Sequence, residues 1–154
     1  MNMFASPGVS ISKLRSRSLL KAWLLVTAVV VGGFGPVFSL ATSASLDEPA
    51  RLSLDILAWP VDGLQRYADA SMRFLSALTG GFLFGWGVMM FFLRQWVYDL
   101  APEPTRRTIV IGLVAWFFLD SAGSIAAGVV SNAGFNVLVL LTCVGPMWRP
   151  ATTR

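Results

Sequence analysis

Between Arg107 and Arg149 the chain runs for 41 residues with a single charged side chain, Asp120. As one straight helix at about 1.5 Å per residue it would reach about 60 Å. That is twice the roughly 30 Å hydrocarbon core of a bilayer. The stretch must therefore fold back on itself, and GVVSNAG at 128–134 supplies the Gly, Ser and Asn of a turn. The expected result is a helical hairpin over about 108–127 and 132–147. Two more uncharged runs precede it, 25 residues over 22–46 and 20 residues over 74–93. Either is long enough to cross a bilayer.

Composition supports hydrocarbon as the solvent. Apolar residues make up 55% of the 154 and charged residues 13%, against about 25% charged in ordinary soluble domains. Disordered chains lack this much apolar surface. One Cys cannot form an internal disulfide, and the absence of His removes His-dependent catalysis and His-ligated metal. In lipid, backbone amides must be satisfied within the segment. Alternating ten-residue segments of a β-barrel are not seen. The expected fold is all-α: a polytopic membrane protein with four transmembrane helices in a small bundle, spanning about 22–41, 73–94, 108–127 and 132–147. Residues 1–21 are expected to be a disordered basic extension, and 149–154 a short tail.

The basic residues set the expected orientation. Lys13, Arg15, Arg17 and Lys21 precede the first span, Arg94, Arg106 and Arg107 follow the second, and Arg149 and Arg154 end the chain. These nine stand against Arg51, Arg66 and Arg73 in the long loop. Both termini are therefore expected in the cytoplasm. The +4 net charge reads as an orientation signal and not as a nucleic-acid patch. An alternative for the first span is a secretory signal cut near Ser39-Leu40-Ala41, which would leave three spans.

The loop over 47–73 carries its own pattern. Asp47 is placed to cap a short helix with Pro49 in its first turn. This helix is expected on the outer membrane surface, with Trp59 and Tyr67 at headgroup depth. Glu48, Asp55, Asp62 and Asp69 recur every seven residues, which would give an acidic face, in a sharper reading a platform for a partner or cation. Asp62–Arg66 and Asp69–Arg73 are acid-first i,i+4 pairs on an expected extension of the second span. Trp96, Tyr98 and Trp148 are expected at the opposite interface.

Helix packing is signalled by Ala77, Gly81 and Gly85, with Gly80 and Gly87 nearby. Small residues every four positions let helices approach closely in lipid. The expected contact is within the bundle, with association between chains as the alternative. Cys143 reads as a packed thiol with no neighbouring base to activate it.

Asp120 carries the chief functional signal. Insertion of Asp at a helix centre costs about 2.5–3.5 kcal/mol. Ser124 lies one turn along, and Asn132 and Asn136 are one turn apart beyond the bend. The expected polar ladder runs Asp120, Ser124, Asn136, Asn132, with Arg73 as candidate countercharge. The plain role is to fix helix register; the functional one is to bind a cation, a proton or a polar head group. No metal, cofactor or catalytic residue is expected.

Four stretches resemble small, uncharacterised, loosely DoxX-like four-span proteins of bacterial inner membranes: GGFLFGWGV (80–88), AWFFLDSAGSIAAG (115–128), SNAGFNVLVLL (131–141) and GPMWRP (145–150). The resemblance covers about half the chain. It implies a four-helix bundle with a retained first helix, and it carries over no catalytic residue. The expected function is therefore a non-catalytic accessory, assembly or scaffold subunit. Its partners would be the bilayer and another membrane protein or a second copy. The alternative is a small oligomeric transporter or proton-coupled carrier using Asp120.

Overall fold

The computed structural model describes residues 11–151, with side chains from Ser16 onward. The described residues form helices and connecting loops. The helices are α1 (Ile11–Leu40), α2 (Glu48–Ala58), α3 (Ala70–Phe92), α4 (Pro102–Ala126) and α5 (Val130–Val144). A π-helical turn, Leu93–Val97, prolongs α3, and a 3-10 turn, Gly145–Trp148, follows α5. Four segments are long and apolar enough to cross a membrane: Ser16–Leu40, Ala70–Val97, Pro102–Ala126 and Val130–Trp148. The chain is an all-α polytopic bundle.

α1 begins well before the expected span. Residues 11–21, read from sequence as a disordered extension, continue the helix; residues 1–10 lie outside the described residues. Contacts with the end of α3 explain the added turns. The Tyr98 hydroxyl donates to the Arg17 carbonyl at 3.2 Å, Arg94 Nε donates to the Lys21 carbonyl at 2.8 Å, and Lys21 pairs with Asp99. The π turn, closed by the Tyr98 amide on the Leu93 carbonyl at 2.9 Å, sets Arg94 and Tyr98 toward the same partner helix.

α1 and α3 are antiparallel and pack through glycine. A Cβ on Gly87 would lie 2.5 Å from Gly32 Cα, and one on Gly35 would lie 2.6 Å from Phe84 Cβ. The backbones are so close that no side chain fits between them. The expected internal contact through Ala77, Gly81 and Gly85 is corrected here. Nothing lies within 4 Å of a Cβ built on Gly81 or Gly85. The buried face is instead Ser76, Gly80, Gly87 and Met90. Spacings of four, seven and three keep these on one side of the helix, and Gly81 and Gly85 fall on another.

The apolar core sits in the half of the bundle where the first turns of α1 meet the end of α5 and the 3-10 turn. Leu20, Leu24, Met90, Ile109, Leu113, Val144 and Met147 are buried together there. Polar ties reinforce this end. Thr27 Oγ1 donates to the Cys143 carbonyl at 2.7 Å, and Trp23 Nε1 to the Thr142 carbonyl at 3.0 Å. Glu103 holds α4 to the segment that follows the 3-10 turn. It accepts Arg106 at 2.9 and 2.7 Å, Arg107 at 2.7 Å and the Ala151 amide at 2.8 Å, while Arg106 also reaches the Met147 carbonyl.

The opposite, loop-bearing half is looser. A smaller cluster of Ala41, Ala50 and Tyr67 ties α2 and the following loop to the end of α1. Residues 61–69 form a loop and not a helical extension of α3, because the Pro60 ring and Gly63 at φ 70° interrupt regular backbone. The two expected i,i+4 ion pairs are consequently absent among the described residues. Asp62 accepts the Leu64 amide at 3.0 Å, and Arg66 donates to the Gly63 and Gln65 carbonyls. Asp69 caps α3 by accepting the Met72 amide at 2.8 Å. Asp47 precedes α2 but makes no side-chain cap, lying 3.6 Å from Arg51 instead. No acidic platform forms. Glu48 is exposed, whereas Asp55 is buried and accepts the Gly63 amide at 3.1 Å. The tyrosines also differ from expectation. Trp59, Trp96 and Trp148 are exposed as interface residues should be, but Tyr67 and Tyr98 are buried at 4% and 1%.

Candidate functional site

The α4–α5 bend spans 127–129, shorter than the expected 128–134. α4 ends at Ala126, Gly128 takes φ 82°, and α5 starts at Val130. Only Gly adopts this left-handed conformation without steric cost. The Ala127 amide bonds the Gly123 carbonyl at 2.9 Å and the Val129 amide the Ser124 carbonyl at 2.8 Å, closing the helix end.

This tight bend fixes the register of the polar ladder. Asn132 Nδ2 donates to Asp120 Oδ2 at 3.0 Å and to Ser124 Oγ at 2.7 Å. Asn136 Nδ2 donates to the same Asp120 oxygen at 2.6 Å and to Ser121 Oγ at 3.1 Å. Asp120, Ser124, Asn132 and Asn136 are therefore brought together, but in a shifted order. Asn136 lies level with Asp120 and Ser121, and Asn132 level with Ser124. A bend centred at Gly128, earlier than the expected turn over 128–134, accounts for the shift. Arg73 is not a member. Its Nε donates to the Tyr67 carbonyl at 2.9 Å, and among the described residues no cation pairs with Asp120.

Ser121 is the member that sequence reasoning missed. Adjacent positions on a helix point about 100° apart, so Ser121 looked as if it faced away from Asp120. Asn136, 3% exposed, lies between the two and joins them. The signal was available in the antiparallel pairing, once the bend was located at Gly128.

Beside the ladder lies a cavity of about 610 Å³. Its apolar wall includes Leu54 and Leu57 of α2, Met72 of α3, and Trp116 and Leu119 of α4; Asp120, Ser124 and Asn132 supply its polar corner. Two features create the space. α3 and α4 meet near the core, where a Cβ on Gly112 would lie 3.7 Å from the Trp86 ring, and the cavity occupies their interval toward the loops. α2 then roofs the gap, held to α5 by Ser131 Oγ donating to the Leu57 carbonyl at 2.7 Å.

The energetics of Asp120 are unbalanced. Both amide donors converge on Oδ2, and Oδ1 accepts no hydrogen bond among the described residues. Interhelical hydrogen bonds in membranes average about 0.6 kcal/mol each. Two of them recover about 1.2 kcal/mol of an insertion cost of about 2.5–3.5 kcal/mol. The ladder fixes register, yet it leaves the second oxygen of a cavity-lining carboxylate without a hydrogen bond among the described residues. A second polar shortfall sits under α2, where buried Asp55 Oδ1 and Arg51 Nε have no hydrogen-bond partner.

Among the described residues no group of three His, Cys, Asp or Glu side chains could hold a metal. Cys143 is buried. Comparison with protein-family models, with curated proteins and with solved structures finds no match to this chain.

Proposed function

We propose that the chain is a non-catalytic subunit of a bacterial inner membrane, with both termini in the cytoplasm, that assists or scaffolds the assembly of another membrane protein or of its own copies. The observation that carries this reading is the open small-residue face of α3. Ala77, Gly81 and Gly85 repeat every four residues, and the two glycines have free space where a Cβ would stand. The internal contact of the helix is already made by Gly80 and Gly87, so this second face is left for a neighbouring helix. The resemblance to small four-span inner-membrane proteins belongs to the same proposal, as does the orientation drawn from the basic residues.

Purification in mild detergent tests it. A stoichiometric second subunit or a defined oligomer is expected, and the paired substitution Gly81→Leu with Gly85→Leu should release it while the chain stays folded. A monomer with no companion, or an assembly indifferent to that substitution, overturns the reading. Tags at the two ends should both report from the cytoplasm.

A second reading, a small carrier built around Asp120, is favoured by the cavity and by the unpaired carboxylate oxygen at its corner. Reconstituted liposomes should then show proton- or ion-coupled flux that Asp120→Asn abolishes. Flux unchanged in that variant refutes a charge-dependent role.

A further inference from the structure

We propose that the cavity under α2 binds an amphiphilic organic cation, with an ammonium head at Asp120 and Trp116 and an apolar tail along Leu54, Leu57, Met72 and Leu119. The inference deepens the carrier reading and shares its site, but it requires binding only and not transport.

Four observations converge on this class of ligand. The first is size: about 610 Å³ falls within the roughly 300–1,000 Å³ of small-molecule sites. The second is charge. Among the described residues Asp120 is the only charged one lining the cavity, and its Oδ1 has no partner there. A cation seated there completes the coordination of the carboxylate. The third is the neighbouring ring. Trp116 stands one turn before Asp120 on α4 and lines the same cavity. Trp offers the most favourable aromatic face for an ammonium group. The fourth is the remainder of the wall, which apart from Gln65 is apolar and suits a hydrocarbon tail.

The same features disfavour an inorganic ion. Calcium takes six to eight oxygen ligands and magnesium a near-ideal octahedron. This corner offers one free carboxylate oxygen and the nearby Ser124 and Asn132 side chains, whose hydrogen bonds already serve the ladder. An anionic amphiphile would meet the carboxylate with like charge.

The test uses the full chain in phosphatidylcholine nanodiscs with radiolabelled decyltrimethylammonium as the probe and empty nanodiscs as the background. Saturable binding of one probe per chain is expected. Decyl sulfate should show only background partitioning. Asp120→Asn should weaken binding at least tenfold, and Trp116→Leu several-fold. Ala58→Phe, which fills the apolar part without touching the carboxylate, should weaken it as well. Unchanged thermal unfolding confirms that each variant is folded. If Asp120→Asn is unfolded, the Ala58→Phe result and the contrast between the cationic and anionic probes decide. Absence of saturable binding overturns the proposal. So does equal binding of the anionic probe, or displacement of the probe by sodium or calcium with one metal ion bound in its place. Asp120-dependent flux without probe binding would sink this inference and leave the carrier reading standing. Saturable binding without flux would do the reverse.

Discussion

The two halves of this bundle solve the same problem by different physics. α1 and α3 face each other across Gly32, Gly35, Gly80 and Gly87, with backbone against backbone and no room for a methyl group at the last three. Their association rests on shape. α4 and α5 face each other across Asp120, Ser121, Ser124, Asn132 and Asn136, and their association rests on hydrogen bonds. In lipid there is little hydrophobic drive between helices, so close contact or polar pairing must supply it. The difference teaches where each half is vulnerable. A shape contact fails when a side chain is added, and a polar contact fails when a partner is removed.

The largest expected effect tests the first of these rules. Gly87→Leu forces α1 and α3 apart and should cost about 3 kcal/mol or more, the upper end of overpacking penalties. Gly85→Leu, two residues away on the open face, should change the stability of the isolated chain by less than about 0.5 kcal/mol. Unfolding in detergent measures both. Equal effects would break the comparison, because the packing face would then lie elsewhere.

The next effect tests the second rule. Asn136→Leu keeps the branched shape but removes the donor shared by Asp120 and Ser121. Losing one of the two donors to Asp120 and the donor to Ser121 should cost about 1–3 kcal/mol, read as a lower unfolding midpoint. Asn136→Gln, which keeps the amide, should lose less. If Leu is tolerated as well as Gln, the hairpin is held by packing after all and the contrast between the halves disappears.

A smaller loss is expected where the halves meet. Thr27 Oγ1 on α1 bonds the Cys143 carbonyl on α5 at 2.7 Å. Thr27→Val should cost about 1 kcal/mol and should show the same value whether or not Asp120 is replaced by Asn. Non-additive losses in the double variant would reveal coupling between the core end and the ladder.

The smallest expected signal comes from the two tyrosines, one at each end of α3. Burial raises the pKa of both Tyr67 and Tyr98 above the ordinary 10.0, and around Tyr98 the Arg17 charge partly opposes the rise. The folded state therefore holds these protons longer than the unfolded chain. Their contribution to stability is complete below pH 10, and it is lost as pH rises through the unfolded phenol pKa toward the folded one. Ultraviolet titration of tyrosinate should show neither phenol ionising at its free value in the folded protein. A tyrosine that titrates at the free value would contradict its burial.

The membrane-spanning pattern was legible because long uncharged runs admit few structures. The partners of Asp120 were legible in the same way: an acid and two Asn residues in a forced hairpin have few places to go. Their register was not, because it depended on whether the bend was centred at Gly128 or beyond it. The packing face of α3 was also hidden. Five small residues between 77 and 87 supply two possible faces, and only the position of Gly32 and Gly35 on α1 chooses between them. Arg73 misled for a related reason: it lies at the right end of α3, but its guanidinium is engaged by the loop carbonyl of Tyr67. The cavity had no sequence signature at all. It arises from the spacing of α3 and α4 and from the roof that α2 provides, both long-range consequences of packing.

The three-residue bend at Gly128 also bears on how the protein is made. Asp120 is translated 12 and 16 residues before the amides that bond it. During synthesis α4 thus emerges carrying a carboxylate that lacks its amide partners until the first half of α5 has followed. The tight bend then delivers those companions side by side. This makes the paired segment, not the single helix, the natural unit of insertion during biogenesis.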